Sequence, residues 1–228
     1  MHIKSIISMC LFMCSISAFS DTQSSFIEFL HHHITQANAE ITKERQALLA
    51  LKSRYEQNQF LTEHQLGWLL KLAGLYRIPN FKLTNTGHWD ELVKRVDIIP
   101  APLAIAQAAK ESAWGQSRFA LEGNNYFGQW CFTANCGIVP KRRALGAKHE
   151  VKRFSSPYQS VFAYLRNLNS HSAYHRVRHI RAHLRDKGHL LDGCLLAHGL
   201  HRYSERGEAY VKEVQSLINR HGLHRYRS

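Results

Sequence analysis

The chain has 228 residues, 44% of them hydrophobic, and 30 Lys+Arg against 17 Asp+Glu give it a formal charge of +13 before any of its 16 histidines is protonated. That apolar content excludes a disordered chain and leaves room for one medium domain with an appendage. A surface this basic attracts polyanions, whether nucleic acid, anionic lipid or carboxylate-rich peptides, and charge alone does not choose among them.

Near the N-terminus stands one lysine, Lys4; residues 6–19 are apolar and uncharged, with small residues at Ala18 and Ser20 ahead of Asp21. The pattern reads as a cleaved export signal over residues 1–20, too short for a comfortable membrane span. The mature protein is therefore expected in the periplasm or cell envelope. Cys14 follows Leu11-Phe12-Met13 in only a faint echo of a lipoprotein site, because Met13 stands where a small residue belongs. Cys10 and Cys14 leave with the signal. Cys131 and Cys136 flank a four-residue turn and are expected either to bridge, as an oxidising compartment allows, or to remain buried thiols.

Residues 25–55 carry Phe26, Phe29, Leu30, Ile34, Ala37, Ile41, Leu48 and Leu51 at helical spacing. Thr62 and Gln65 form a capping box that opens a second helix reaching about Tyr76. Pro79 and the polar residues 82–88 read as a linker, so residues 21–88 make a helical appendage and residues 89–228 the main domain. Pro100 and Pro102 set up a helix over 103–114 that should stop at Gly115. Residues 126–154, rich in Gly, Asn, aromatics and β-branched side chains, suit a small irregular β region. Ser156-Pro157 opens another helix, and helical segments follow near 172–186, 189–199 and 206–221. Helices surrounding one small β lobe make a mainly helical α+β fold.

The chemistry concentrates in one cluster. Glu111 is the single carboxylate in the last turn of the small, apolar helix 103–114. The negative end of the helix dipole and apolar burial both disfavour its anion. Glu111 is thus expected to hold its proton near neutral pH, as an acid that protonates a glycosidic oxygen must. An isolated E-S-x-W-G would read as an exposed helix end; the Gly123-Asn-Asn-Tyr-Phe-Gly128 turn that follows favours the acid. Aromatic faces stack well on sugar rings, and of the aromatics nearby Trp114 and Phe127 are expected to be buried, Tyr126 and Trp130 half open.

In the segments A-Q-A-A-K-E-S-A-W-G-Q-S-R-F, G-N-N-Y-F-G-Q-W-C-F, V-P-K-R-R and Y-S-E-R-G-E-A-Y-V, spread over residues 96–219, the chain strongly resembles the glucosaminidases of glycoside hydrolase family 73, and among them the Bax-type bacterial proteins. The resemblance implies a lysozyme-like fold and cleavage of the β-1,4 bond after N-acetylglucosamine in peptidoglycan, without cofactor. It makes Glu111 the general acid and places Tyr203, in Y-S-E-R-G, on a substrate-contacting tyrosine; Asn125, Tyr126 and Trp130 of the second motif join it as expected substrate contacts. The family also carries an acid in its β lobe that helps activate water. Between Pro140 and Phe154 the one acid is Glu150, amid Lys141, Arg142, Arg143, Lys148, Lys152 and Arg153. Glu150 is the candidate for that role, and a plain ion pair with a neighbouring lysine is the alternative.

His171, His175, His179 and His183 recur every four residues, a spacing that can hold zinc. Here they flank an apolar stripe of Tyr174, Val177, Ile180 and Leu184, and arginines at 176, 178, 181 and 185 repel a cation, so no metal is expected. Two other readings compete with a hydrolase acting on peptidoglycan glycan strands. A lytic transglycosylase shares the fold and a catalytic Glu, but its longer E-S-x-x-x-x-x-A-x-S motif is missing. A non-catalytic basic module would bind the cell wall or nucleic acid, but no nucleic-acid motif is visible and an export signal argues against that partner. Loose association with anionic envelope surfaces fits the charge.

Overall fold

The computed structural model describes residues 3–143 and 146–226, with side chains described from Asp21 onward. The export signal expected over residues 1–20 falls on side chains outside the described residues. The elements run α1 (Ile3–Asn58), α2 (Glu63–Leu75), α3 (Thr86–Arg95), α4 (Ala101–Ser112), α5 (Arg118–Gly123), β1 (Trp130–Cys131), β2 (Gly137–Ile138), β3 (Glu150–Lys152), α6 (Pro157–Ser170), α7 (His175–Asp186), α8 (Gly193–Ala197) and α9 (Glu208–Arg220). The fold is mainly helical α+β, as the sequence pattern implies. No helix among the described residues is long and apolar enough to cross a membrane.

Helix starts follow the caps written in the sequence. Thr62 and Gln65 make the reciprocal capping box of α2, and Ser156 accepts from the Gln159 amide with Pro157 at the first helical position. The expected linker is shorter than residues 82–88. Asn85 caps α3, taking the His88 amide, so the helix begins at Thr86 and carries Trp89 and Leu92 inward. The β lobe is one small antiparallel sheet in the order β1-β3-β2, with Trp130 and Ile138 both paired to Val151.

Two apolar clusters form the interior, and α1 serves both. Its earlier part places Phe26, Ile27, Leu30, Ile34, Ala37 and Ile41 in a cluster with α4, α6, α8 and α9. Its later part places Leu48 with Leu69, Leu72, Tyr76, Trp89 and Leu92 of α2 and α3. Leu30, Ile34 and Leu48 are fully buried, each gaining about 1.5–3 kcal/mol relative to exposure. Asn38 of α1 fixes the turn before α4, donating to the Ile99 carbonyl and accepting its amide.

Two arginines of α7 turn inward. Arg178 and Arg181 are both buried. Arg181 donates to the carbonyls of Lys94, Asp97 and Ile98, at and just past the end of α3, where a helix leaves carbonyls unpaired. Its guanidinium also lies 3.7 Å from the Asp97 carboxylate, which Arg185 contacts at 2.9 Å and Arg45 at 3.8 Å. Burial alone would raise the Asp97 pKa, but these three guanidiniums hold it below the ordinary carboxylate value. The histidines at 175, 179 and 183 are exposed, with the rings of His175 and His179 6.0 Å apart.

Candidate active site

Small residues let α4 run through the middle of the first cluster. Ala104, Ala106, Ala108 and Ala109 are buried along it, bringing Glu111 to its C-terminal end. The helix ends at Ser112, two residues before the expected stop. Ala113, Trp114 and Gly115 then turn left-handed in succession, at φ 50°, 58° and 78°. For Ala and Trp that conformation costs roughly 1–2 kcal/mol each, so the surroundings must hold it. Ser112 does part of this: its hydroxyl donates to the Ala108 carbonyl and accepts the Gly115 amide. Gly115 is required twice over, since a Cβ there would also lie 2.9 Å from the Phe26 ring.

Glu111 stands at the end of a hydrogen-bond chain with one direction. The Tyr164 hydroxyl donates to Gln107 Oε1 at 2.5 Å, Gln107 Nε2 donates to the Tyr210 hydroxyl at 2.9 Å, and Tyr210 donates to Glu111 Oε1 at 2.8 Å. Gln107, Tyr164 and Tyr210 are all buried, so the chain fixes the carboxyl without help from solvent. Burial pushes the Glu111 pKa up, while the Tyr210 hydrogen bond and Lys110 pull it down; the net shift is upward. Tyr210 is itself held protonated, first by burial and then by the Glu111 charge.

Tyr203 belongs to the same group. Its ring stacks on Tyr210 with centroids 5.4 Å apart, and its hydroxyl donates to the Phe127 carbonyl at 3.0 Å. Phe127 is buried as expected, stacked on Tyr164 at 3.8 Å. The next residue, Gly128, runs close enough to Glu111 that a Cβ on it would sit 3.8 Å from Oε2. The sequence motifs around Glu111, Phe127 and Tyr203 therefore meet in space. Tyr210, Gln107 and Tyr164 were missed by the sequence reading. Gln107 was the findable one: it lies four residues before Glu111 on an otherwise apolar helix, hence on the same face.

Three other expected site residues have different tasks. Asn125 is buried, and its amide is used up by backbone: it donates to the Gln129 and Lys152 carbonyls and accepts the Phe127 and Gln129 amides. It shapes the turn and has nothing left for a sugar. Tyr126 is buried too, its ring against Phe26 and Phe29 of α1 instead of half open. Glu150, on β3, is 8% exposed, and its two oxygens accept the amides of Asn135 and Gly137. It fastens the loop closed by the Cys131–Cys136 disulfide, which is formed, and the structure does not join it to the Glu111 group. Trp130 is the open aromatic, 57% exposed, with one face stacked on His149 at 4.0 Å. Trp114 is partly buried, between Phe26 and His221.

Among the described residues, the grouping of side chains with metal-ligand spacing is Cys131, Cys136 and Glu150. Its sulfurs are bonded to each other and its carboxylate to backbone amides, so this donor set suits no ion.

The family of glucosaminidases described as mannosyl-glycoprotein endo-β-N-acetylglucosaminidase matches residues 86–223. Protein bax of Escherichia coli (strain K12) is 35% identical over 188 residues, which cover 82% of this chain and 65% of that protein. No solved structure matches the chain. The match takes in Glu111 with its left-handed turn, the β lobe and both tyrosines of the 203–210 segment, and on it the chain belongs to the glucosaminidase family.

Proposed function

We propose that the protein is an exported peptidoglycan hydrolase that cleaves the β-1,4 bond after N-acetylglucosamine, with Glu111 as general acid. The observation that carries this reading is the state of Glu111: a carboxyl raised in pKa by burial and aimed by a buried tyrosine. Such a group delivers a proton to a glycosidic oxygen while the neighbouring aromatics shape the sugar site. Membership of the glucosaminidase family supports a glycosidase and a peptidoglycan-type glycan substrate. Likeness to Protein bax supports a bacterial setting. The basic surface suits the anionic wall and no cofactor is needed.

The engagement of Glu150 favours a second reading, in which Glu111 works without a partner carboxylate. The substrate's own acetamido oxygen then attacks the anomeric carbon as Glu111 protonates the departing sugar and water opens the resulting oxazoline, or the 6-hydroxyl of N-acetylmuramic acid attacks as in a lytic transglycosylase. Mass spectrometry of muropeptides released from purified sacculi separates the outcomes. N-acetylglucosamine reducing ends support hydrolysis after that sugar, and 1,6-anhydro ends would replace this reading by the transglycosylase. Absence of any released fragment would leave a binding module.

A further inference from the structure

Helix α1 begins well before residue 86, where the glucosaminidase match starts. Its first described turns nevertheless reach the segment that follows the proposed acid. Phe26 is buried, packs edge-on against Trp114 with ring centroids 5.9 Å apart, and lies against Tyr126 at 6.2 Å. The ring also covers Gly115 so closely that a Cβ there would fall 2.9 Å from both Cδ2 and Cε2. Phe29, one turn on, touches Tyr126 at 5.7 Å. One helix face therefore presses on both segments that flank Glu111: the left-handed turn at 113–115 and the 124–128 loop.

We propose that α1 is part of the active site's support, and that Phe26 is a positioning residue that clamps the strained turn behind Glu111. The inference takes Glu111 as the acid of the reading above. Three successive left-handed residues, two of them with side chains, persist only when packing over-determines them. The Ser112 hydroxyl holds the turn from the helix side, and His221 meets Trp114 at 4.7 Å. Phe26 is the piece that holds Trp114, Gly115 and Tyr126 at once. Without it the turn relaxes toward ordinary backbone, the end of α4 shifts, and more water reaches the half-buried carboxyl. A displacement of about 1 Å at a proton donor is enough to cost up to 10²-fold in rate.

The test compares substitutions in the two parts of α1, using the full chain and a soluble N-acetylglucosamine–N-acetylmuramic acid oligosaccharide. Phe26→Ala is expected to lower kcat about tenfold or more, with KM changed less than about twofold. Phe26→Leu, which keeps the position apolar and should fold, is expected to fall between Phe26→Ala and wild type. Leu48→Ala, in the other cluster, should lower Tm while leaving kcat and the pH profile at their wild-type values. The titration of Glu111, read by carbon NMR of carboxyl-labelled glutamate and assigned through Glu111→Gln, supplies a readout that needs no activity. With the ring removed, hydration should lower the Glu111 pKa, and the alkaline limb of kcat should move down with it. An unchanged Glu111 titration in Phe26→Leu, or a kcat loss in Leu48→Ala equal to that in Phe26→Ala well below both melting points, would overturn the clamp. An inactive wild type whose Glu111 titration still moves with Phe26 would uphold the clamp and reject the glycosidase.

Discussion

The wall that carries Glu111 is built from α4, α6 and α9 through side-chain hydrogen bonds that all run toward one carboxyl, the first two buried and the last half-buried. The β lobe is built from strands of two or three residues, and its stiffness comes from a disulfide and from one carboxylate bonded to backbone. One region fixes a single carboxyl, Glu111; the other fixes a loop and leaves Trp130 open on its surface. The contrast teaches that the two acids singled out in the sequence, Glu111 and Glu150, are not equivalent. Glu111 has its pKa raised by burial and accepts from a tyrosine held protonated. Glu150 does the work of a fastener.

The largest expected effect separates them. Glu111→Gln keeps the acceptor for Tyr210 but has no proton to give, and turnover should fall by about 10²–10⁴-fold while binding to sacculi survives. Retention of more than about a tenth of the activity would end the assignment. Tyr210→Phe comes next, with a rate loss of about tenfold, because a hydrogen bond to a charged group contributes about 1.5–3 kcal/mol. The sign of its pH effect follows from what Tyr210 does: its hydroxyl favours the Glu111 anion, so removing it raises the Glu111 pKa further. A reaction that needs protonated Glu111 should then extend to higher pH. Movement of the alkaline limb to lower pH would contradict the donor role.

Glu150→Gln should cost less than about tenfold in rate, far below the general acid–base range, and show itself mainly as a lower Tm. A loss as deep as that of Glu111→Gln would break the comparison and give the β lobe the second catalytic group. Trp130→Ala should have the smallest effect, raising KM roughly threefold with kcat unchanged, in line with one lost aromatic contact. An unaltered KM on a soluble glycan would remove Trp130 from the sugar path.

The pieces legible in the sequence were those with local causes. The capping box at Thr62, the Ser156-Pro157 start and the lone carboxylate of α4 each depend on neighbours within four residues. The pairing of Tyr210 with Glu111 was out of reach, since the two stand 99 residues apart and the motif that holds Tyr210 does not say what it touches. Asn125 and Tyr126 are read from sequence as substrate contacts, while their side chains meet backbone carbonyls and the rings of Phe26 and Phe29. Polarity shows that an amide needs partners, and here the partners are backbone. Arg178 and Arg181 are read from sequence only as charges that repel a cation, because helical phasing reports faces and not the carbonyls waiting across an interface.

Asp97 carries a consequence for how the molecule comes apart. One buried carboxylate answers Arg45 of α1 and Arg181 and Arg185 of α7, while Asn169 of α6 donates to its carbonyl oxygen. Peeling α7 away would take Arg181 and Arg185 from the buried Asp97 carboxylate and leave it the 3.8 Å contact to Arg45, a penalty of several kcal/mol, and losing α1 would remove that contact as well. Segments on either side of residue 86 are therefore coupled into one cooperative unit, in which local fraying costs nearly as much as global unfolding. Cutting the chain at the edge of the matched family region would divide an ion cluster, with Arg45 on one side and Asp97, Arg181 and Arg185 on the other.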